Sequence, residues 1–261
     1  MSPQQLLAHY DDGSLWAAAS GFDVAIAYEH ALTVRELRLA RGEKPLGFKI
    51  GFTNRNIWPV YQVFGPIWGT VYDTTVTYCE GSGAVSLDST CQPRLEPETV
   101  FGIASTPPAR ASLQQLFECI EWIAPGFEVV QSHQRDWKFT APDTVADGGL
   151  HARLLIGPRR PIAEVAGNAD ELNRQLAQAS VTLSCASEKK EQGVGANVLD
   201  GPLHALKYFL ESLRNCPGAP DLLPGDVVTT GTWTDAWAVA PGQTWHAQFD
   251  VPLAPLEIRF T

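Results

Sequence analysis

At Gly42 the sequence changes its period. Before it, "DVAIAYEHALTVRELRLAR" (residues 23–41) sets Val24, Ala27, Tyr28, Ala31, Val34 and Leu37 at steps of three and four. That is the spacing of an amphipathic helix, and Gly42 follows as its C-cap. After it come short runs rich in β-branched and aromatic residues, each bounded by Gly or Pro: "LGFKIGF", "GTVYDTTVTY", "GAVSL", "RLEPETVFGI", "GFEVVQS" and "HARLLIG". A chain punctuated in this way builds a sheet.

Two helices are expected to interrupt the strands. "SLQQLFECIEWIA" opens at Ser112, and "GPLHALKYFLESLRN" has Pro202 in its first turn with Leu203, Leu206, Leu210 and Leu213 along one face. Towards the C-terminus, "LLPGDVVTTGT", "PGQTWHAQF" and "PLEIRF" read as strands separated by Pro-Gly turns. The expected fold is α+β, with a helical N-terminal segment over residues 1–45 and one large mixed-sheet domain over 46–261.

The net charge of −10, without a Lys/Arg tract, gives nothing to attract a polyanion, so nucleic acid is not an expected partner. No apolar run approaches the ~20 residues that span a bilayer, and "MSPQQLLAHYDDGS" lacks a basic n-region, which predicts a soluble, cytoplasmic chain. Five widely spaced cysteines without a CxxC pair read as reduced thiols.

The segment "RLEPETVFG" carries the first chemical signal. In an extended chain residues two apart share a face, so Glu96 and Glu98 project together. A solvated pair on an edge strand is the bland reading, and Pro97 favours an edge. A third acid, Glu128, stands among Phe127, Val129 and Val130, where an unpaired carboxylate is costly to bury. Three carboxylates converging from two strands make an oxygen-rich site suited to Mg²⁺ or Mn²⁺.

Lys49 lies between Phe48 and Ile50, so alternation turns its ammonium away from both. It is either a surface residue or a cation lining a pocket. Asp73, before Thr74 and Thr75, is either a turn residue or a site residue. "GVGANVLDG" lacks the third Gly of a dinucleotide fingerprint, and no GxSxG elbow occurs. None of the six histidines stands in a HExxH or HxH arrangement. His30 and His133 lie nearest the site segments.

Taken in order, "GFKIGFTN", "GTVYDTTV", "RLEPETVFGI", "GFEVV", "DWKFTAPDTVADGG", "GVGANVLDGPLHALKYF" and "LLPGDVVTTGT" resemble the 2-keto-4-pentenoate hydratase group of the fumarylacetoacetate hydrolase superfamily, from about Tyr28 to the C-terminus. The resemblance implies mixed sheets rolled around the active site, with helices packed outside. It implies a divalent ion on Glu96, Glu98 and Glu128, and it puts Lys49 and Asp73 beside a small 2-oxo acid substrate as candidates for proton transfer. Ile50, Gly51, Asp147, Thr230, Gly231 and Thr232 fall on its substrate-binding segments, and it implies a homo-oligomer.

The activity so implied is metal-dependent addition of water to a 2-hydroxy-dienoate, or its 2-oxo-enoate tautomer, in aromatic-compound catabolism. The alternatives are decarboxylation of a 2-oxo acid, carbon-carbon hydrolysis of an acylpyruvate, and metal binding without turnover. Relatives read "DTVADNAS" where this chain has Gly148, Gly149 and Leu150 after Asp147, so an Asn and a Ser are missing. Trp58, Tyr61, Phe64 and Trp68 form an aromatic segment that reads either as core or as a wider apolar pocket.

Overall fold

The computed structural model describes residues 1–261. Helices α1 (Pro3–Asp12) and α2 (Val24–Ala40) come first, capped by the side chains of Ser2 and Asp23. Strand β1 (Pro45–Gly51) is followed by the single turn α3 (Trp58–Tyr61), β2 (Ile67–Tyr72), β3 (Val76–Tyr78), β4 (Ser82–Val85) and β5 (Arg94–Ile103). Then come α4 (Leu113–Glu118), β6 (Ile120–Val130), α5 (Ala141–Ala146), β7 (His151–Ile156), β8 (Arg160–Pro161) and α6 (Ala169–Gln178). The chain closes with β9 (Ser180–Cys185), β10 (Glu188–Val194), α7 (Pro202–Asn215), β11 (Val227–Thr232), β12 (Trp237–Ala238), β13 (Thr244–Phe249) and β14 (Leu256–Phe260).

The main sheet runs β2-β1-β11-β5-β6-β7-β3, with β12 on β5 and β8 on β6, and the second runs β10-β9-β13-β14-β4. Most neighbours are antiparallel, but β1–β11, β3–β7 and β4–β14 are parallel. Strands β2 and β7 approach each other without pairing, so the main sheet curls into a roll.

The inner face of this roll follows from the period of two. Val71, Val100, Ala124, Leu154, Ile156 and Val227 form one buried cluster, an apolar floor. On the same faces, further along their strands, stand Glu98, Glu128 and Thr229, with Lys49 of β1 paired to Thr229. Outside the roll, Phe101, Phe127, Phe209 and Trp233 belong to the large core that the second sheet and α4, α6 and α7 cover. A third cluster, with Leu6, Trp16, Ala27 and Val34 against Ile67, Val145 and Ala146, docks α1 and α2.

Several expectations need correction. The helix opening at Ser112 ends at Glu118, and "IEWIA" begins β6: a short buried apolar run has no period that separates helix from strand. Helix α6 and the β9–β10 hairpin, whose second strand reads "EKKEQGV", were not expected. Strand β5 is central rather than an edge. Pro97 is accommodated because it falls between the β11 pairing, which ends at Glu98–Thr232, and the β12 pairing, which begins at Leu95–Trp237.

Candidate active site

Glu96 and Glu98 point into the roll from β5, and Glu128 lies directly across the ladder from Glu96. Carboxylate oxygens of all three lie within 4.8 Å of one another. Glu98 and Glu128 are fully buried, while Glu96, one step further from the floor, is partly exposed. The site therefore opens at the Glu96 end.

Each acid is held differently. Glu98 Oε2 accepts from the Thr229 hydroxyl and from the Gly231 N–H, 2.7 Å away. The irregularity in β11 is what frees that N–H from the ladder. Glu128 Oε1 lies 2.9 Å from Nδ1 of His151, whose Nε2 lies 2.9 Å from the Thr75 hydroxyl. Thr75 Oγ1 in turn accepts from the Tyr72 N–H. The carboxylate can only accept, so Nδ1 donates to it. The Thr75 hydroxyl, which also lies 3.1 Å from the Tyr72 carbonyl, leaves the role of Nε2 to the charge of the ring, and a neutral ring accepts there. Burial, which pushes the His151 pKa down against the pull of Glu128, favours the neutral ring.

Lys49 is the one cation among the acids. Its Nζ donates to the Gly149 carbonyl at 2.8 Å and makes an ion-pair contact of 3.1 Å with Glu128 Oε2. Burial lowers the lysine pKa, but Glu128, Glu96 and Glu98 outweigh it and hold the group above its ordinary value, so it is an ammonium. Glu96 is pushed up to about 7, by burial first, with Lys49 opposing and Glu128 adding repulsion. Burial, then repulsion from Glu128 and Glu96, drives Glu98 well above the carboxyl range.

These groups fit a hard divalent cation. Glu98 Oε1 is a buried oxygen without a hydrogen-bond donor, Glu128 Oε2 has only its contact with Lys49, and one lysine does not balance three carboxylates. Oxygen-only donors suit Mg²⁺ or Mn²⁺.

Other expected residues lie elsewhere. Asp73 is exposed at the far end of β2, beyond the Pro45–Tyr72 pair, and accepts from the Lys44 N–H, so it is a turn residue. Ile50 belongs to the outer core. Thr230 spends its hydroxyl on the Thr99 carbonyl and Thr232 on that of Thr234, whereas Thr229, one position earlier, serves Glu98. Asp147 binds the N–H and ring of His133, 3.0 and 2.6 Å away, in a buried pair beneath α1. Gly51 does adjoin the site: a Cβ there would stand 3.5 Å from Lys49 Nζ.

The Gly-Gly pair covers the site. Gly149 packs on Lys49 and on β2 at Gly69, which lacks a side chain because one would meet the Gly148 carbonyl. The space that a side chain at 148 would need is taken by the Tyr10 hydroxyl.

A family model for the fumarylacetoacetate (FAA) hydrolase C-terminal region matches residues 71–257. The chain belongs to the fumarylacetoacetate hydrolase family. The matched part of this family member holds Glu96, Glu98, Glu128 and His151, while Lys49 lies before it. It is 30% identical over 238 residues to a 2-hydroxyhexa-2,4-dienoate hydratase of Comamonas testosteroni, covering 90% of this chain and 85% of the relative. It is 26% identical over 225 residues to a 4-oxalocrotonate decarboxylase of a Pseudomonas species, covering 84% and 82%. A solved 4-oxalocrotonate decarboxylase from Pseudomonas putida G7, complexed with magnesium and adipate, matches its fold with a TM-score of 0.84 at 24% identity. That match covers 100% of this chain and 99% of the other.

Proposed function

We propose that the protein is a divalent-metal-dependent hydratase that adds water to a 2-hydroxy-dienoate, through its 2-oxo-enoate tautomer, in the breakdown of aromatic compounds. The observation that carries this reading is the layer of Glu96, Glu98 and Glu128 with the Lys49 ammonium, set on an apolar floor and open at one end. The 30% identity to a dienoate hydratase supports it.

Glu96, Glu98 and Glu128 would hold the ion, with Mg²⁺ or Mn²⁺ as the cofactor. When bound, such an ion supplies Lewis-acid stabilisation of the negative charge of an enolate. The chain does the rest. Thr229 and the Gly231 N–H fix Glu98, and His151 fixes Glu128, so the acids stay oriented without reorganising during reaction. Lys49, held by Gly149 and Glu128, keeps a proton at Nζ beside the carboxylates. With Asp73 on a distant turn, it is the group assigned to transfer that proton. The apolar floor closes the inner end to water.

Ultraviolet decay of 2-hydroxypenta-2,4-dienoate by metal-stripped protein, with and without Mg²⁺ and coupled to a CO₂ assay, tests the reading. Mg²⁺-dependent decay without CO₂ is expected. Release of CO₂ from 4-oxalocrotonate would instead favour decarboxylation, the second reading, which rests on the 26% identity to a decarboxylase. The same reading carries a cytoplasmic enzyme that assembles as a homo-oligomer, consistent with the exposed Val60 and Phe64. Light scattering measures the assembly.

A further inference from the structure

The open end of the roll is bordered by aromatic rings in a continuous series. It starts at β1, where Gly51, packed on Ile67, lies beside Lys49 Nζ and Phe52 follows. The Phe52 ring stacks on Tyr61 with centroids 4.9 Å apart and planes 20° apart, and Tyr61 stacks on Phe139 at 5.4 Å and 27°. Phe139 meets Trp137 at 5.9 Å, and the Arg94 guanidinium lies over Trp137, 4.2 Å from its centroid. Arg94 is two residues before Glu96 on β5, on the same face and one step further out. The series thus runs from the strand of Lys49 to the strand of Glu96.

None of these rings is fully buried, although Phe52 packs against the cluster that docks α1 and α2. Phe52, Tyr61, Trp137 and Phe139 are each half-buried, so part of each ring stays accessible. Their backbone is held at a cost: Phe52 and Trp137 both sit at positive φ, 57° and 59°, a conformation unfavourable for aromatic residues. Hydrogen bonds lock the arrangement, from Trp58 Nε1 to the Phe52 carbonyl at 2.7 Å and from Trp137 Nε1 to the Gln92 carbonyl at 3.0 Å. Half-exposed apolar faces, fixed beside a charged layer, form the kind of wall that takes the apolar part of a small ligand.

We propose that this arc receives the portion of the substrate beyond the 2-oxo acid head, and that this portion is a planar, ring-bearing substituent. The head group is taken from the hydratase reading, on which the proposal rests. A five-carbon dienoate would leave most of the arc in water. A ring in conjugation with the enoate is flat and stacks as Tyr61 and Phe139 stack on each other. A tail ending in a carboxylate would find Arg94 already seated on Trp137.

The test is equilibrium binding, which does not depend on turnover. Titration calorimetry on Mg²⁺-saturated protein compares 2-oxobutanoate, 2-oxo-4-phenylbutanoate and 2-oxoadipate. The phenyl compound is expected to bind about tenfold or more tighter than 2-oxobutanoate. That ratio should fall towards one in Tyr61→Ala and Phe139→Ala and persist in Tyr61→Phe, with thermal melts showing that all three variants fold.

Equal affinities overturn the proposal, as does a preference that survives both alanine variants, tighter binding of 2-oxoadipate, or no binding of any of the three. Failure of the hydratase reading is separable: a phenyl preference without turnover of either the unsubstituted or a phenyl-substituted 2-hydroxy-dienoate removes that reading and keeps the wall. Turnover of the unsubstituted dienoate without the preference does the reverse.

Discussion

Glu96 and Glu128 occupy directly opposed positions on β5 and β6, so two acids face each other across one rung of a buried ladder. Like charges so placed are unfavourable unless something neutralises them. Glu96→Gln removes a ligand while easing the repulsion. Mg²⁺ affinity, measured by calorimetry, should fall at least about tenfold and activity should be lost, while the melting temperature of the metal-free variant holds or rises.

Metal removal should make stability depend on pH with a definite sign. Glu96 has its folded pKa raised to about 7, above the unfolded value near 4.3, so the folded state binds more protons between them. Stability of the metal-free protein should therefore decline as pH rises from about 4.3 to 7. Saturating Mg²⁺ should flatten that decline. Thermal melts across this range, with and without Mg²⁺, check both.

Lys49→Ala should retain Mg²⁺ binding and lose roughly 10²-fold or more in turnover, the range for removal of an acid–base group. An unchanged kcat in a stopped-flow dienoate assay would remove Lys49 from the mechanism.

His151 acts on Glu128 rather than on substrate, as a positioning residue. His151→Ala should weaken Mg²⁺ by about 10–100-fold, in line with loss of an outer-shell partner. Thr75→Val should weaken it less, since the ring keeps its bond to Glu128. Mn²⁺ titration followed by electron paramagnetic resonance reads both variants independently of turnover.

His133 offers a stability test away from the metal. Both ring nitrogens face acceptors, Asp147 Oδ1 and the His9 carbonyl, 2.6 and 3.1 Å away. Burial lowers its pKa, but Asp147 outweighs burial and the net shift is upward. The stabilisation is complete below the unfolded value near 6.5 and is lost as pH rises through the higher folded pKa. His133→Ala should cost about 3 kcal/mol or more by stranding Asp147, and urea melts should show the loss shrinking at alkaline pH.

What the sequence made legible was whatever depends on strand period. The i, i+2 spacing of Glu96 and Glu98 places both on one face wherever the strand lies, and alternation turns Lys49 away from Phe48 and Ile50. Glu128 was legible through its apolar neighbours, since a carboxylate among them needs a partner. Thr229 stands two residues after Val227 and so keeps to the inner face, where the resemblance led to Thr230. Period fails where regularity fails. The irregularity that follows Thr229 turns the Gly231 N–H to Glu98, and the end of β2 turns Asp73 out to solvent. His151 opens β7 and meets Glu128 only through strand pairing, so no local pattern announces it. Tyr10, filling the space beside Gly148, comes from a helix 138 positions earlier in the chain.

The parallel pairing of β1 with β11 has a consequence for synthesis. Lys49 emerges early, yet its strand has no inner neighbour until residues 227–229 are made. At translation rates of about 5–20 residues per second, that interval lasts on the order of ten seconds or more. For that time β1 has an unsatisfied edge and a charged lysine between two large apolar side chains, a segment suited to capture by a chaperone. The acids of β5 and β6 can pair with each other well before the lysine joins them, so the nascent site is at its most negative, and most dependent on a bound cation, just before it is complete.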